Sequence, residues 1–159
     1  AGFFEVSPSG NPENDWGPGP QDSPYRVQLL ATSNQLRNMT VNVTYSANAG
    51  GPYNWTTGFD DNHDGIVNDR PDAIDLRTLR GAAQQTLNMR VQYAVAFANT
   101  GGAPIGQSRY RANVFVNVTN LTNHQNLGGY SGVETSPNFM QPTFVANPRK
   151  VDFGMTIGF

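Results

Sequence analysis

The last nine residues of the chain alternate without a slip. Val151, Phe153, Met155, Ile157 and Phe159 are apolar, while Asp152, Gly154, Thr156 and Gly158 between them are small or polar. Successive side chains of an extended strand point to opposite faces, so this segment separates a greasy environment from a wet or crowded one.

The same period of two recurs upstream. Met39, Val41, Val43, Tyr45 and Ala47 share a face opposite Asn38, Thr40, Asn42, Thr44 and Ser46. Leu87, Met89, Val91, Tyr93, Val95 and Phe97 form an apolar set against Asn88, Arg90, Gln92, Ala94 and Ala96. Tyr110, Ala112, Val114, Val116 and Val118 form another, with Arg111, Asn113, Phe115 and Asn117 opposite, and Tyr25, Val27, Leu29 and Ala31 make a shorter version. A strand that crosses a membrane needs ~9 to 11 residues of this kind, with aromatics near its ends. A strand of a soluble sandwich is nearer ~5 to 6 residues, so run length favours a barrel wall.

Composition narrows the class. Seventeen Gly, eleven Pro and only 14% charged residues argue against a helical protein, and with a net charge of -2 they exclude a basic nucleic-acid binder. With no Cys there is neither a disulfide framework nor thiolate chemistry. No apolar run approaches the ~18 residues of a membrane helix, so any membrane residence is by strands. The chain opens on Ala1-Gly-Phe-Phe, without Met or a basic, apolar leader, which reads as a processed product or a fragment.

The expected fold is all-β: an antiparallel meander of about six long strands with long loops, a partial barrel wall or sheet that needs partner strands. The strands are predicted at residues 2–7, 25–33, 36–48, 85–97, 109–121 and 151–159, all within a single β-domain spanning residues 1–159. Loops fill residues 8–24, 50–84 and 122–148, and a tight turn fills 99–106; residues 72–85 have room for one helical turn. Short turns alternating with long loops is the barrel habit. Six strands fall short of the usual minimum of ~8 for closure, which leaves two edges with unpaired hydrogen-bonding groups.

One loop carries a candidate metal site. Asp60, Asn62 and Asp64 stand at the first, third and fifth places of a calcium-loop spacing, Gly65 at the sixth, the Ile66 carbonyl at the seventh and Asn68 at the ninth. Ca²⁺ takes several oxygen ligands, and Gly65 permits the sharp bend between them. The twelfth place is Pro71, which has no ligating side chain, so Asp69 or Asp72 must substitute. The competing reading is a solvated hairpin tip whose Asp, Asn and Gly satisfy turn conformations.

Several segments together resemble the C-terminal part of Oar-like TonB-dependent outer-membrane receptors. They are the run from Gly58 to Pro71, Leu79-Arg-Gly81, Val118 to His124, Ser136-Pro-Asn-Phe139 and Asn147-Pro-Arg149, with Pro12 to Gly17 upstream. The closing strand ending on Phe159 resembles the terminal strand of bacterial outer-membrane barrels. The resemblance implies an outer-membrane or extracellular bacterial location. The plug and the TonB-contacting segment of such receptors have no counterpart here.

Other motifs are weaker. Five Asn-x-Thr sequons begin at Asn38, Asn42, Asn54, Asn117 and Asn120. Asn and Thr two apart share the polar face of a strand, so period two writes sequons by accident, and only Asn54 is placed for a glycan. His63 and His124 lie in separate loops and signal no metal pair or catalytic set, so no enzymatic activity is expected. Trp16, Tyr53, Trp55 and Phe59 flank loops, as a girdle, as loop packing, or as contacts for a sugar or partner. Arg26, Arg90 and Arg111 with Asp152 are expected to form a ladder of paired charges.

Three functions fit. The sequence favours a non-enzymatic structural subunit whose partners are copies of itself, joined through strand edges into a fibre or tube, with Ca²⁺ locking a loop. The first alternative is a wall segment of a TonB-dependent transporter barrel, facing outer-membrane lipid. The second is a soluble β-sandwich adhesin or carbohydrate binder.

Overall fold

The computed structural model describes residues 12–97 and 110–158. The expected strand at 2–7, the turn at 99–106 and Phe159 lie outside them. Among the described residues, nine strands follow a 3₁₀ turn at Pro12–Asp15: β1 Arg26–Ser33, β2 Met39–Asn48, β3 Pro52–Tyr53, β4 Leu79–Arg80, β5 Gln84–Phe97, β6 Tyr110–Thr119, β7 Leu127–Gly128, β8 Phe144–Val145 and β9 Lys150–Gly158. The fold is all-β, with an antiparallel five-stranded sheet in the order β1-β2-β5-β6-β9 that does not close into a barrel. No helix among the described residues is long and apolar enough to cross a membrane, which leaves crossing by strands open.

The alternation read from sequence sets the register. Across β5, β6 and β9 the apolar residues stand in rows: Met89, Val118 and Val151; Val91, Val116 and Phe153; Tyr93, Val114 and Met155; Val95, Ala112 and Ile157. The rows between them are Arg90, Asn117 and Asp152; Gln92, Phe115 and Gly154; Ala94, Asn113 and Thr156; Ala96, Arg111 and Gly158. A one-residue slip would invert every pair, so three strands of unbroken period fix one another.

Strand ends differ from expectation where the backbone turns left-handed. β2 begins at Met39 rather than Leu36, because Asn38 sits at φ 61° and Met39 N–H closes a turn on the Leu36 carbonyl. β6 stops at Thr119, two residues early, because Asn120 takes φ 51°. The stretch 72–85 holds no helical turn. Ala73 and Arg77 have φ of 62° and 55°, which breaks any helical run, and the segment ends in β4 and the start of β5.

By packing, the chain forms two compact units whose segments interleave along it. One comprises Val27–Ala47, Gln85–Gln125 and Asn147–Phe159 and carries most of the sheet. The other comprises Ala1–Arg26, Asn48–Gln84 and Asn126–Ala146, and holds the two-stranded pairs β3-β4 and β7-β8.

Candidate functional site

The sheet presents its apolar face to solvent. Val151, Phe153, Met155 and Ile157 on β9 are all exposed, Phe153 by 77%. Tyr93 on β5 and Val114 on β6 continue the uncovered surface, and all eight residues of β1 are exposed. Burying a large apolar side chain is worth about 1.5 kcal/mol or more, so these four residues of β9 leave on the order of 6 kcal/mol unrealised. Among the described residues only Ala49, Leu76, Ala112 and Val118 are buried apolar groups. The edges are open as well: β1 has β2 as its one neighbour in the sheet and β9 has β6, so each leaves a row of main-chain groups unpaired among the described strands.

The opposite face is polar but does not carry the expected charge ladder. Arg90 places its guanidinium 4.0 Å from the centroid of the Phe115 ring rather than beside Asp152. Asp152 instead pairs with Lys150 on its own strand at 2.9 Å, in water. Phe115, the one aromatic on this face of β6, lies over its cross-strand partner Gly154, where any Cβ would collide with the ring. That glycine is therefore required by close approach rather than by dihedral freedom.

The acidic loop is a nest of carboxylate-to-backbone bonds. The Asp60 carboxylate accepts from Asp64 N–H and Gly65 N–H, both at 3.0 Å. Asn62 Oδ1 accepts from the same Asp64 N–H at 2.9 Å, and Asp64 Oδ1 from Ile66 N–H at 2.8 Å. Asp60 and Asn62 thus converge on one donor, and Gly65 turns the chain at φ 87°. Asp69 is buried and accepts from Asp61 N–H and Asn62 N–H at 2.7 and 3.0 Å, so it points at the main chain. Asp72 is exposed and lines an open cleft with Glu13, Asp61 and Asp75. Asn68 Oδ1 is buried without a hydrogen-bond partner. Among the described residues no three His, Cys, Asp or Glu side chains are grouped to hold a metal.

Two segments singled out in the sequence bond to each other. Asn120, 2% exposed, donates from Nδ2 to the carbonyls of His124 and Asn147 at 2.9 and 3.3 Å and accepts the His124 N–H at 3.0 Å. Its own N–H goes to Asn88 Oδ1 at 3.0 Å, and Asn123 Oδ1 accepts from Arg149 N–H at 2.9 Å. Sequence reasoning treated Asn120 as part of a sequon and missed this knot; the available signal was a pair of Asn suited to left-handed turns directly after a strand. The other segments tie in similarly. Arg70 meets Asp15 at 2.7 Å with side chains 6% and 12% exposed, and Arg80 meets Asp22 at 2.7 Å.

The remaining candidates fall apart or take structural roles. His63 sits at φ 61° with Nδ1 3.1 Å from the Asp61 carbonyl, and His124 Nδ1 lies 3.2 Å from Gln85 Nε2. Asn54 is half-buried, with Oδ1 accepting from Arg77 N–H at 3.0 Å. Trp55 donates to Glu134 at 2.7 Å and packs on Phe139, while Tyr53 stacks on Tyr130 at 5.7 Å. Burial, and then the neighbouring Tyr130, push the Tyr53 hydroxyl above its ordinary pKa. Trp16 and Phe59 stand exposed.

No protein-family model matches this sequence, and no characterised protein or solved structure matches it either.

Proposed function

We propose that the five-stranded sheet is a wall segment of an outer-membrane β-barrel in a receptor of the Oar-like TonB-dependent class, with no catalytic role. The observation that carries this reading is the uncovered apolar face, held in register on strands of 14, 10 and 9 residues in β5, β6 and β9. Strands of about this length span the hydrocarbon of a bilayer, apolar side outward and polar side inward. Lipid would cover the apolar face, and further strands would pair with β1 and β9, so one environment meets both needs. A fibre has to meet them separately, by stacking faces and by pairing edges. A soluble sandwich needs a second sheet of similar size, and the other sheets among the described residues have two strands each.

The test is lipid contact. A fluorophore on a Cys placed at Phe153 is expected to be quenched by lipid-borne quenchers after reconstitution into vesicles, and one placed at Thr156 is not. Equal quenching, or none at either site, overturns the wall. The self-assembling reading rests on the two open edges; filaments formed by the purified chain without detergent would replace the wall with that reading.

Within the same proposal, Ca²⁺ binds the loop through Asp60, Asn62, Asp64, the Ile66 carbonyl and Asn68, with Asp72 in place of the missing twelfth ligand. The shared donor of Asp60 and Asn62 and the unpartnered Asn68 Oδ1 support it. Asp69, occupied by two main-chain N–H groups, is the weaker substitute. Calorimetric titration with Ca²⁺ should release or absorb heat and raise the melting temperature; no change in either removes the ion.

A further inference from the structure

Beyond the barrel wall, a cleft within the loop-bearing unit has the make-up of a ligand site. It is bounded by Tyr53, Tyr130 and Phe144, by Gln84, and by a rim of glycines including Gly51 and Gly129, and it encloses about 240 Å³. That is below the ~300 Å³ at the small end of drug-sized sites, so it accommodates one ring-sized unit of a longer molecule rather than a whole ligand.

The walls explain the opening. A Cβ on Gly128 would come within 2.5 to 3.1 Å of Phe144 ring atoms, and one on Gly129 within 2.9 to 3.1 Å of the same ring. The Phe144 ring therefore sits close against the main chain of β7 and the following residue, and Phe144 is still 57% exposed. Gly81 plays the same part for the edge of Tyr130, which the Tyr53 stack then holds. At Gly51 nothing stands within 4 Å of a Cβ position, so the mouth is clear.

Among the described residues, none lining the cleft carries a charge at neutral pH; the polar side-chain groups are two tyrosine hydroxyls and one amide. Flat aromatic faces beside hydroxyl and amide groups suit a ligand with an apolar C–H face and a hydroxylated edge. A charged ligand would find no counter-ion here. We propose that this cleft binds one residue of a neutral saccharide chain, stacked on Phe144.

The probes are neutral hexasaccharides, maltohexaose and cellohexaose, followed by saturation-transfer NMR and calorimetry on the whole chain. Binding is expected for at least one sugar, at least tenfold weaker in Phe144→Ala and retained in Phe144→Tyr, which keeps the ring. An unchanged thermal transition in Phe144→Ala shows that the loss is local. Absence of binding up to the solubility limit of both sugars overturns the proposal. So does binding that Phe144→Ala leaves intact, or a proline-rich peptide that occupies the cleft where the sugars do not.

Discussion

The two units are stabilised in opposite ways. The sheet unit is held by main-chain ladders and leaves much of its apolar face exposed, with Phe153 and Met155 more than half exposed. The loop-bearing unit has little regular pairing and buries charged groups, with Asp69 at 6% exposure and the Arg70–Asp15 pair nearly closed to water. A ladder tolerates changes in side chains but depends on what surrounds it. A buried ion pair is indifferent to surroundings and intolerant of change. The sheet thus leaves apolar surface uncovered, while the loops close on one another.

The sharpest test of that contrast is Asp15→Ala. Asp15→Ala removes the carboxylate 2.7 Å from the nearly buried Arg70 guanidinium, and losing one member of a buried pair costs about 3–5 kcal/mol. Hydrogen exchange should show residues 48–84 losing protection while β5 and β6 keep theirs. Uniform loss across both units would break the comparison, because it would make them one cooperative body.

Phe153→Lys tests the other side. On the proposed barrel wall a lysine at this apolar-face position would cost about 2–4 kcal/mol at mid-bilayer, whereas Thr156→Lys on the polar face would cost little. The yield of folded, membrane-inserted protein measures the difference. Equal yields would mean that the faces have been assigned the wrong environments.

Asn120→Ala asks whether the sheet unit also depends on a side-chain knot. Four hydrogen bonds meet at this residue, two of them donated to carbonyls that would lose a partner, and alanine tolerates φ 51° poorly. A loss of about 2 kcal/mol is expected in denaturant titration. A change below half that would assign the stability of the sheet to its ladders alone.

How much of this was legible in the sequence follows from the range of the interactions. Period two is local, so the five described long strands and the facing of Val151, Phe153, Met155 and Ile157 could be read from the residues. Strand ends were misplaced at Leu36 and Leu121 because Asn38 and Asn120 enter left-handed turns that composition does not announce. The expected arginine ladder failed for a different reason: Arg90 chose the ring of Phe115 over a carboxylate in its own cross-strand row, and alternation cannot rank those partners. In the acidic loop the spacing correctly marked a turn at Gly65. That Asp69 would turn to the main chain of Asp61 and Asn62 depends on the loop closing over itself, which spacing does not encode.

The smallest expected effect concerns Tyr53. Burial disfavours its phenolate and the neighbouring Tyr130 adds to that, so its folded pKa lies above the ordinary ~10 of tyrosine. Between the unfolded and the folded value the native state holds a proton that the unfolded chain has lost. Stability from this group is therefore complete below about pH 10 and declines as pH rises through the folded pKa. Ultraviolet titration should show one tyrosine ionising later than the rest, and Tyr53→Phe should abolish that late step and flatten the alkaline loss of stability. If the late step survives the substitution, Tyr53 is not its source, and burial beside Tyr130 does not hold the Tyr53 proton.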